Sequence, residues 1–277
     1  MPSRPVVLVT GAARRLGREI ALDLAAHGYD VALHYRHSHD DAQATLAELQ
    51  SLGAQAFGFA ADLGDEAECN RLVPAVVARF GRLHAVVNNA STFEYDDVAS
   101  FSYAAMARHF QANTGPAVLL ARALHRHLTE ANAETSGCVV NLLDQKLWNP
   151  NPDYFSYTLS KAALQAATTL LAQALAPRLR VCGVAPGVTL TSGPMTEDEF
   201  AKAHALTPLA RSSTPADIAR AVRFLIESPG ITGSTLLVDG GQHLCAQPRD
   251  VLFAARALSA DVPGAAPSFT PQPSPPR

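Results

Sequence analysis

Residues 5–28 read PVVLVTGAARRLGREIALDLAAHG: a short apolar strand (Val6 to Thr10), a tight glycine turn, and an amphipathic helix ending at Gly28. A phosphate-binding loop requires that order. The backbone passes close to a pyrophosphate, whose charge then rests on the helix N-terminus. The spacing is Gly11-x-x-x-Arg15-x-Gly17, with Leu16 inside the turn. An arginine where a second glycine often stands either meets phosphate, or a ligand lying across it, or is a solvated residue of the helix start.

The same alternation runs onward from this unit. A second strand, Asp30 to Tyr35, is followed by a helix over about 39–52, the strand QAFGFAAD, a helix over about 65–80 and the strand LHAVVNNAS. A long helix over about 102–131, bent where Asn113 and Pro116 interrupt it, leads to a strand from Cys138 to Leu143 and a helix over about 154–176. The strands RLRVCGVAPG and STLLVDGG follow, separated by a helix that Thr214 caps and Pro215 opens. Seven strands alternating with helices predict an α/β fold, a Rossmann-type doubly wound parallel sheet in a single domain spanning residues 1–245. Residues of about 190–212, rich in Thr, Ser and Pro around a short helical pattern, suit a flap over the pocket. From 246 to 277 the pattern stops. A short helix, DVLFAARALS, is compatible with its start, and the proline density beyond predicts a disordered extension.

Composition narrows the partners. The net charge is −3, from 22 basic and 25 acidic residues, which gives no basic face for nucleic acid and no polybasic membrane patch. No charged-then-apolar leader precedes the first strand, and no apolar run approaches the roughly 18 residues that span a bilayer. A cytoplasmic protein with a small-molecule partner is expected. Four scattered cysteines have neither metal nor redox spacing and read as small buried apolar groups. His109, His125 and His127 lack ligand-type neighbours in sequence, and no metal site is expected.

The chemistry is expected at the carboxyl ends of the strands. Past the second strand stand Arg36, His37 and Ser38, with His34 before them. A cation there suits the 2′-phosphate of NADP, whereas an acid would suit the ribose hydroxyl of NAD. Asp40 and Asp41 come later and can equally serve as N-terminal charges of the next helix. Asp62 and Leu63 end the third strand, beside the expected place of an adenine, and Asn89 and Ala90 end the fourth, near the sugars. Phe93, in the loop after Ser91, is either a lid over the pocket or a core residue.

The stretch 141–176, NLLDQKLWNPNPDYFSYTLSKAALQAATTLLAQALA, places Tyr157 and Lys161 four residues apart on a helix, hence on one face. A cation beside a phenol lowers its pKa toward the working pH, which predicts Tyr157 as a proton donor, with Asp144 at the strand end within reach. An ordinary surface pair has the same spacing.

In register, TGAARRLG, AADL, NNAS, Asn113, Tyr157-x-x-x-Lys161, APG and VDGG resemble the short-chain dehydrogenase/reductase family over about residues 5–245. The resemblance implies that Tyr157 donates the proton and that Lys161 binds the nicotinamide ribose. It implies that Asn113 holds a water linking Lys161 to solvent, and that Pro186, Gly187 and Thr189 lie near the cofactor, NADPH. It also implies a homotetramer assembled through the two long helices.

One departure narrows the substrate. Most members place a serine thirteen residues before the tyrosine, and here that residue is Asp144. An ionised carboxylate only accepts hydrogen bonds and repels a developing oxyanion. The substitution, together with Arg15, the HYRHS strand end, Phe93 and Tyr154, resembles the pteridine reductase and dihydromonapterin reductase branch. That likeness implies a pterin-like substrate stacked under Phe93, touched by Arg15, Ser91 and Tyr154, with Asp144 and Tyr157 delivering a proton to a ring nitrogen. The alternative is a carbonyl or another imine.

Overall fold

The computed structural model describes residues 4–131, 136–191 and 195–260. Seven strands form one parallel sheet: β1 (Val6–Val9), β2 (Asp30–Tyr35), β3 (Ala56–Ala60), β4 (Ala85–Asn88), β5 (Gly137–Leu142), β6 (Leu179–Pro186) and β7 (Thr235–Val238). Their order across the sheet is β3-β2-β1-β4-β5-β6-β7. Every adjacent pair is parallel, so each connection crosses a face of the sheet and covers it with a helix. The expected doubly wound sheet is therefore the observed one.

Both faces of β1 are buried, and its side chains alternate between two cores. Val7 and Val9 pack with α1 (Arg15–Ala26), α2 (His39–Ser51) and, through Ile218 and Leu225, α8 (Pro215–Glu227). Val6 and Leu8 pack on the other face with α3 (Glu66–Phe80) and α5 (Gly115–Glu130). Strand order reverses between β1 and β4, and the crevice that opens at their carboxyl ends is where ligands bind in such sheets.

The helix expected over 102–131 is two helices. α4 (Tyr103–Asn113) and α5 are joined through Thr114. Pro116, in the first turn of α5, has no N–H to continue the ladder of α4, so the chain restarts. Helix α6 (Phe155–Ala174) follows β5 after a 3-10 turn at Gln145–Leu147, which the Asp144 side chain caps. Thr214 caps α8 through a reciprocal box with Asp217, and Pro215 stands at its start, as the sequence indicates.

In the flap, residues 192–194 lie outside the described residues. Beyond them, α7 (Glu197–Ala205) is capped by a Thr196/Glu199 box. After residue 245 the chain does not leave the domain at once. Helix α9 (Val251–Ala260) sets Val251, Leu252 and Ala255 against Met195 and Ala203, a small core separate from those on the sheet. Apolar side chains spaced at i, i+1 and i+4 give that short helix a buried side, which its sequence context did not announce. Of the extension expected to be disordered over 246–277, residues 246–260 instead pack on the domain through α9, and 261–277 lie outside the described residues. Among those described, no helix is long and apolar enough to cross a membrane.

Candidate active site

The cofactor half is assembled around the first turn. Gly11 adopts φ +62°, and its N–H donates to His34 Nδ1 at 3.1 Å, while His34 Nε2 pairs with the Ala61 carbonyl at 3.0 Å. Acceptance at Nδ1 leaves the ring proton on Nε2, so one neutral tautomer ties β1, β2 and β3 together. Burial lowers the His34 pKa, in keeping with a neutral ring. His34 lines this end of the cleft but is a positioning residue, since both nitrogens are engaged.

A Cβ on Gly17 would overlap the Gly11 carbonyl oxygen and Asn89 Nδ2, so the turn closes tightly on itself and only glycine fits. Asn89 Nδ2 holds the turn through the Thr10 and Gly11 carbonyls, at 2.9 and 3.2 Å. The Thr10 hydroxyl accepts from the Asn89 and Ala90 N–H groups. Leu16, Arg36, His37, Ser38, Asp62 and Leu63 line the same end. Arg36 lies 3.8 Å from Asp62 and is more than half exposed, so its guanidinium retains donors for a phosphate. A tight glycine turn opening a helix, with cations at the end of β2, fits a phosphorylated dinucleotide.

Arg15 lies between the two halves of the cleft and lines both. Its backbone is left-handed, φ 55°, and Nη2 donates to the Thr191 carbonyl at 2.5 Å. The phosphate turn is thus tied to the start of the flap. Pro186, Gly187 and Thr189 line the cleft beside it, and Thr189 Oγ1 is 2.7 Å from Ser213 Oγ.

At the centre, Tyr157 Oη donates to Asp144 Oδ2 at 2.8 Å. Asp144 Oδ1 accepts from the Lys146 N–H at 2.9 Å, which fixes the carboxylate plane. The expected lowering of the Tyr157 pKa is not observed. Burial first, then the Asp144 charge and hydrogen bond, push the phenol well above its ordinary value. Lys161 Nζ is 5.7 Å from the Tyr157 ring centroid and donates to the Leu142 carbonyl at 2.7 Å instead. Burial lowers Lys161 itself to about 8, against the pull of Asp144. Burial also raises the Asp144 carboxyl, opposed by its hydrogen bonds and by the two lysines. The result is a buried pair in which the phenol holds its proton and the acid is brought nearer to neutrality.

Asn113 does not line the cleft. Its Oδ1 accepts from the Thr92 N–H at 2.7 Å and from Ser91 Oγ at 3.1 Å; its Nδ2 donates to the Thr92 carbonyl and to Ser160 Oγ. Four bonds exhaust an amide, so this side chain anchors the loop after β4 to α6 and has none left for a bridging water. His109 assists, with Nδ1 on the Ala105 carbonyl and Nε2 accepting from the Glu94 N–H.

Phe93 stands edge-on to Tyr157, centroids 4.7 Å apart, and lines the cleft with Ser91. Behind it Tyr154 is stacked at 4.1 Å and 16°, almost fully buried, so it supports Phe93 and does not face the cleft. Phe93, Asp144 and Tyr157 line one cleft.

A family model described as "Enoyl-(Acyl carrier protein) reductase" matches residues 11–243. The chain belongs to the short-chain dehydrogenase/reductase family. It is 33% identical over 253 residues to the 3-oxoacyl-[acyl-carrier-protein] reductase FabG of Staphylococcus aureus, covering 86% of this chain and 97% of that protein. The crystal structure of FolM Alternative dihydrofolate reductase 1 from Brucella suis in complex with NADP superposes with a TM-score of 0.84 at 41% identity. That match covers 89% of this chain and 98% of the other. The Brucella canis protein of the same name, complexed with NADP, gives 0.81 at 40%, covering 88% and 96%. This short-chain dehydrogenase/reductase is an oxidoreductase.

Sequence reasoning missed several residues of this family member's cleft. Arg14, next to Arg15, lines the cofactor end with Arg36. Its position in the glycine turn was the available signal. Gln145, Lys146, Gln247, Asp250 and Val251 line the substrate end. Lys146 stands two residues after Asp144 and was legible as a neighbour, but the last three reach the cleft through a tertiary contact with no local signature.

Proposed function

We propose that the protein reduces a dihydropterin to the tetrahydro form with NADPH. The observation that carries this reading is the 2.8 Å hydrogen bond from Tyr157 to Asp144 in the cleft that Phe93 also lines. NADPH supplies the hydride when bound, as a cofactor whose chemistry the protein positions. Arg36 and Arg14 would hold its 2′-phosphate, the Gly11–Gly17 turn its pyrophosphate, and Lys161 its nicotinamide ribose. The two NADP-bound relatives support the choice of cofactor.

Phe93 orients the heterocycle and excludes water from one of its faces. Asp144 and Tyr157 share the acidic proton. The carboxyl is raised toward neutrality while the phenol is pushed away from it, so the proton passes to the ring nitrogen through Asp144. Tyr157 Oη keeps the carboxyl group aimed. Asn113 acts at one remove by holding Ser91 and Thr92.

A second reading, reduction of a β-ketoacyl thioester, is favoured by the names of relatives such as FabG. Weighing against it, Asp144 stands where most family members have a serine hydroxyl, and the Tyr157 phenol is already bonded to it. NADPH oxidation by the purified protein, measured with dihydrobiopterin or dihydrofolate and in parallel with acetoacetyl thioester, distinguishes the two. Faster turnover of the pterins is expected, and the opposite ranking removes the proposal. Exposed apolar side chains, Tyr103 and Phe110 on α4 with Leu159 and Leu170 on α6, support a homotetramer, which sedimentation would test.

A further inference from the structure

The substrate end of the cleft has a roof, which comes from the last described turn of the chain. Arg249 forks onto Asp153, with Nε and Nη2 donating at 2.8 and 2.9 Å, and the Asp250 N–H donates to the same carboxylate at 2.7 Å. Phe253 packs edge-on against Tyr95, centroids 5.9 Å apart, and Asn149 Nδ2 donates to the Cys245 carbonyl. These contacts fasten residues 245–253 over the loop between β5 and α6. They bring Asp250 and Val251 into the cleft that holds Asp144 and Tyr157.

Asp250 is not fully spent on the roof. Its Oδ1 accepts the Leu252 N–H at 3.2 Å, and its Oδ2 faces Lys146 Nζ at 3.4 Å, both long for bonds to a charged oxygen. Lys146 Nζ has a closer partner in the Asp153 carbonyl, at 2.5 Å. A carboxylate offers about four acceptor sites, so Asp250 has capacity left toward the cleft. Nearby, Gln145 Oε1 is a buried acceptor without a hydrogen-bond partner in the structure. The cleft therefore gathers acceptors at Asp144, Gln145 and Asp250, and Tyr157 donates to the first of them. A substrate edge carrying several N–H groups would satisfy these acceptors.

We propose that Asp250 determines substrate class by accepting hydrogen bonds from the amino and ring N–H edge of a 2-amino-4-oxo heterocycle, while Asp144 serves the ring nitrogen that takes up the proton as the neighbouring carbon of its C=N bond receives the hydride. The inference rests on the pterin reading above. Two adjacent N–H donors on one planar edge match the two oxygens of a carboxylate, the same geometry that makes guanidinium–carboxylate pairs selective. A heterocycle with a 2-oxo group in place of the amine puts an acceptor against Asp250, and a site built for a donor rejects such an analogue strongly. Lys146 orients Asp250. Asp250 is thus a substrate-binding residue that enters from the C-terminal segment, apart from the Tyr157 and Lys161 machinery.

The test compares a dihydropterin with the corresponding dihydrolumazine, its 2-oxo counterpart. Dissociation constants are measured by titrating the heterocycle's fluorescence, and kcat and KM from NADPH oxidation, on the full chain. The native protein is expected to prefer the amino compound by about 100-fold or more in kcat/KM. Asp250→Asn is expected to bring that ratio to within about 10-fold of unity, chiefly through KM and the dissociation constant, with NADPH affinity retained. Asp250→Glu keeps a carboxylate and is expected to recover part of the preference, which a purely structural role at the roof would not show. It also serves where the asparagine variant is poorly folded. If the native protein reduces the dihydropterin while Asp250→Asn keeps the full preference, the assignment of Asp250 falls and the pterin reading stands. If the native protein neither binds nor reduces the amino compound, both fall.

Discussion

Tyr157 donates a 2.8 Å hydrogen bond to Asp144, so the proton donor expected from its helical spacing already has an acceptor before any substrate arrives. In the proposed reaction the pair, and not the phenol alone, is the acid.

Replacing Tyr157 with Phe removes the shared proton. Dihydropterin kcat is expected to fall by about 10²- to 10⁴-fold, the usual worth of a positioned acid. Asp144→Ser should reduce pterin turnover by about 10²-fold and leave the dissociation constant of NADPH nearly unchanged. Steady-state rates with a parallel cofactor titration check both, and an undiminished Asp144→Ser rate would assign the carboxylate another task.

Lys161 is brought to about 8 by burial, so its cation is present below that pH and is lost as the pH rises through it. Pterin kcat/KM should therefore decline on the alkaline side of about 8. Lys161→Met, with no proton to lose there, should have a low and flatter profile over the same range. A native profile that is level to pH 9.5 would contradict this.

Arg36→Ala should raise the NADPH dissociation constant about 10- to 100-fold, as expected for loss of one charge-assisted phosphate contact. NADH, which lacks the 2′-phosphate, should be affected far less. Equal losses for the two cofactors would refute the phosphate assignment. Arg14→Ala should show the same asymmetry with a smaller effect.

Burial holds four histidines below their ordinary value of 6.5: His34, His84, His127 and His204. His84 Nδ1 accepts the Val6 N–H and His127 Nε2 accepts the Leu83 N–H, so protonation forfeits each bond. The unfolded chain takes up these protons near 6.5 and the folded chain only at lower pH, so stability declines as the pH drops below 6.5. The raised Asp144 carboxyl acts in the opposite sense. The double variant His84→Asn, His127→Gln keeps an acceptor at each place without a titrating ring. Its melting temperature should change less between pH 7 and 5.5 than that of the native protein, and identical slopes would rule the histidines out.

The parts of the fold that follow local rules were legible. Glycine turns, caps and apolar runs specify each strand and helix, and a parallel sheet leaves few alternatives for joining them. The cofactor end is legible for the same reason, because its residues sit at strand termini. What was not legible arises where side chains meet across the molecule. Tyr157 and Lys161 share a helix face as their spacing requires, yet burial raises the phenol, and the charges of Asp144 and Asp250, brought there by tertiary contacts, add to it. Asn113 was expected to hold a water beside Lys161, but its bonds go to Thr92 and Ser160, in a loop and a helix that sequence does not align with it. Tyr154 carries a familiar motif position, and only packing shows it behind Phe93.

The roof over the substrate end is held by ionic forks and one aromatic edge, with no strand of the sheet in it. The cofactor end is thus woven through the sheet, while the proposed substrate selector sits outside it, beside α9. Exchanging roughly ten residues around Asp250 is a route by which this scaffold can acquire a new specificity while its folding nucleus and its nucleotide preference stay as they are.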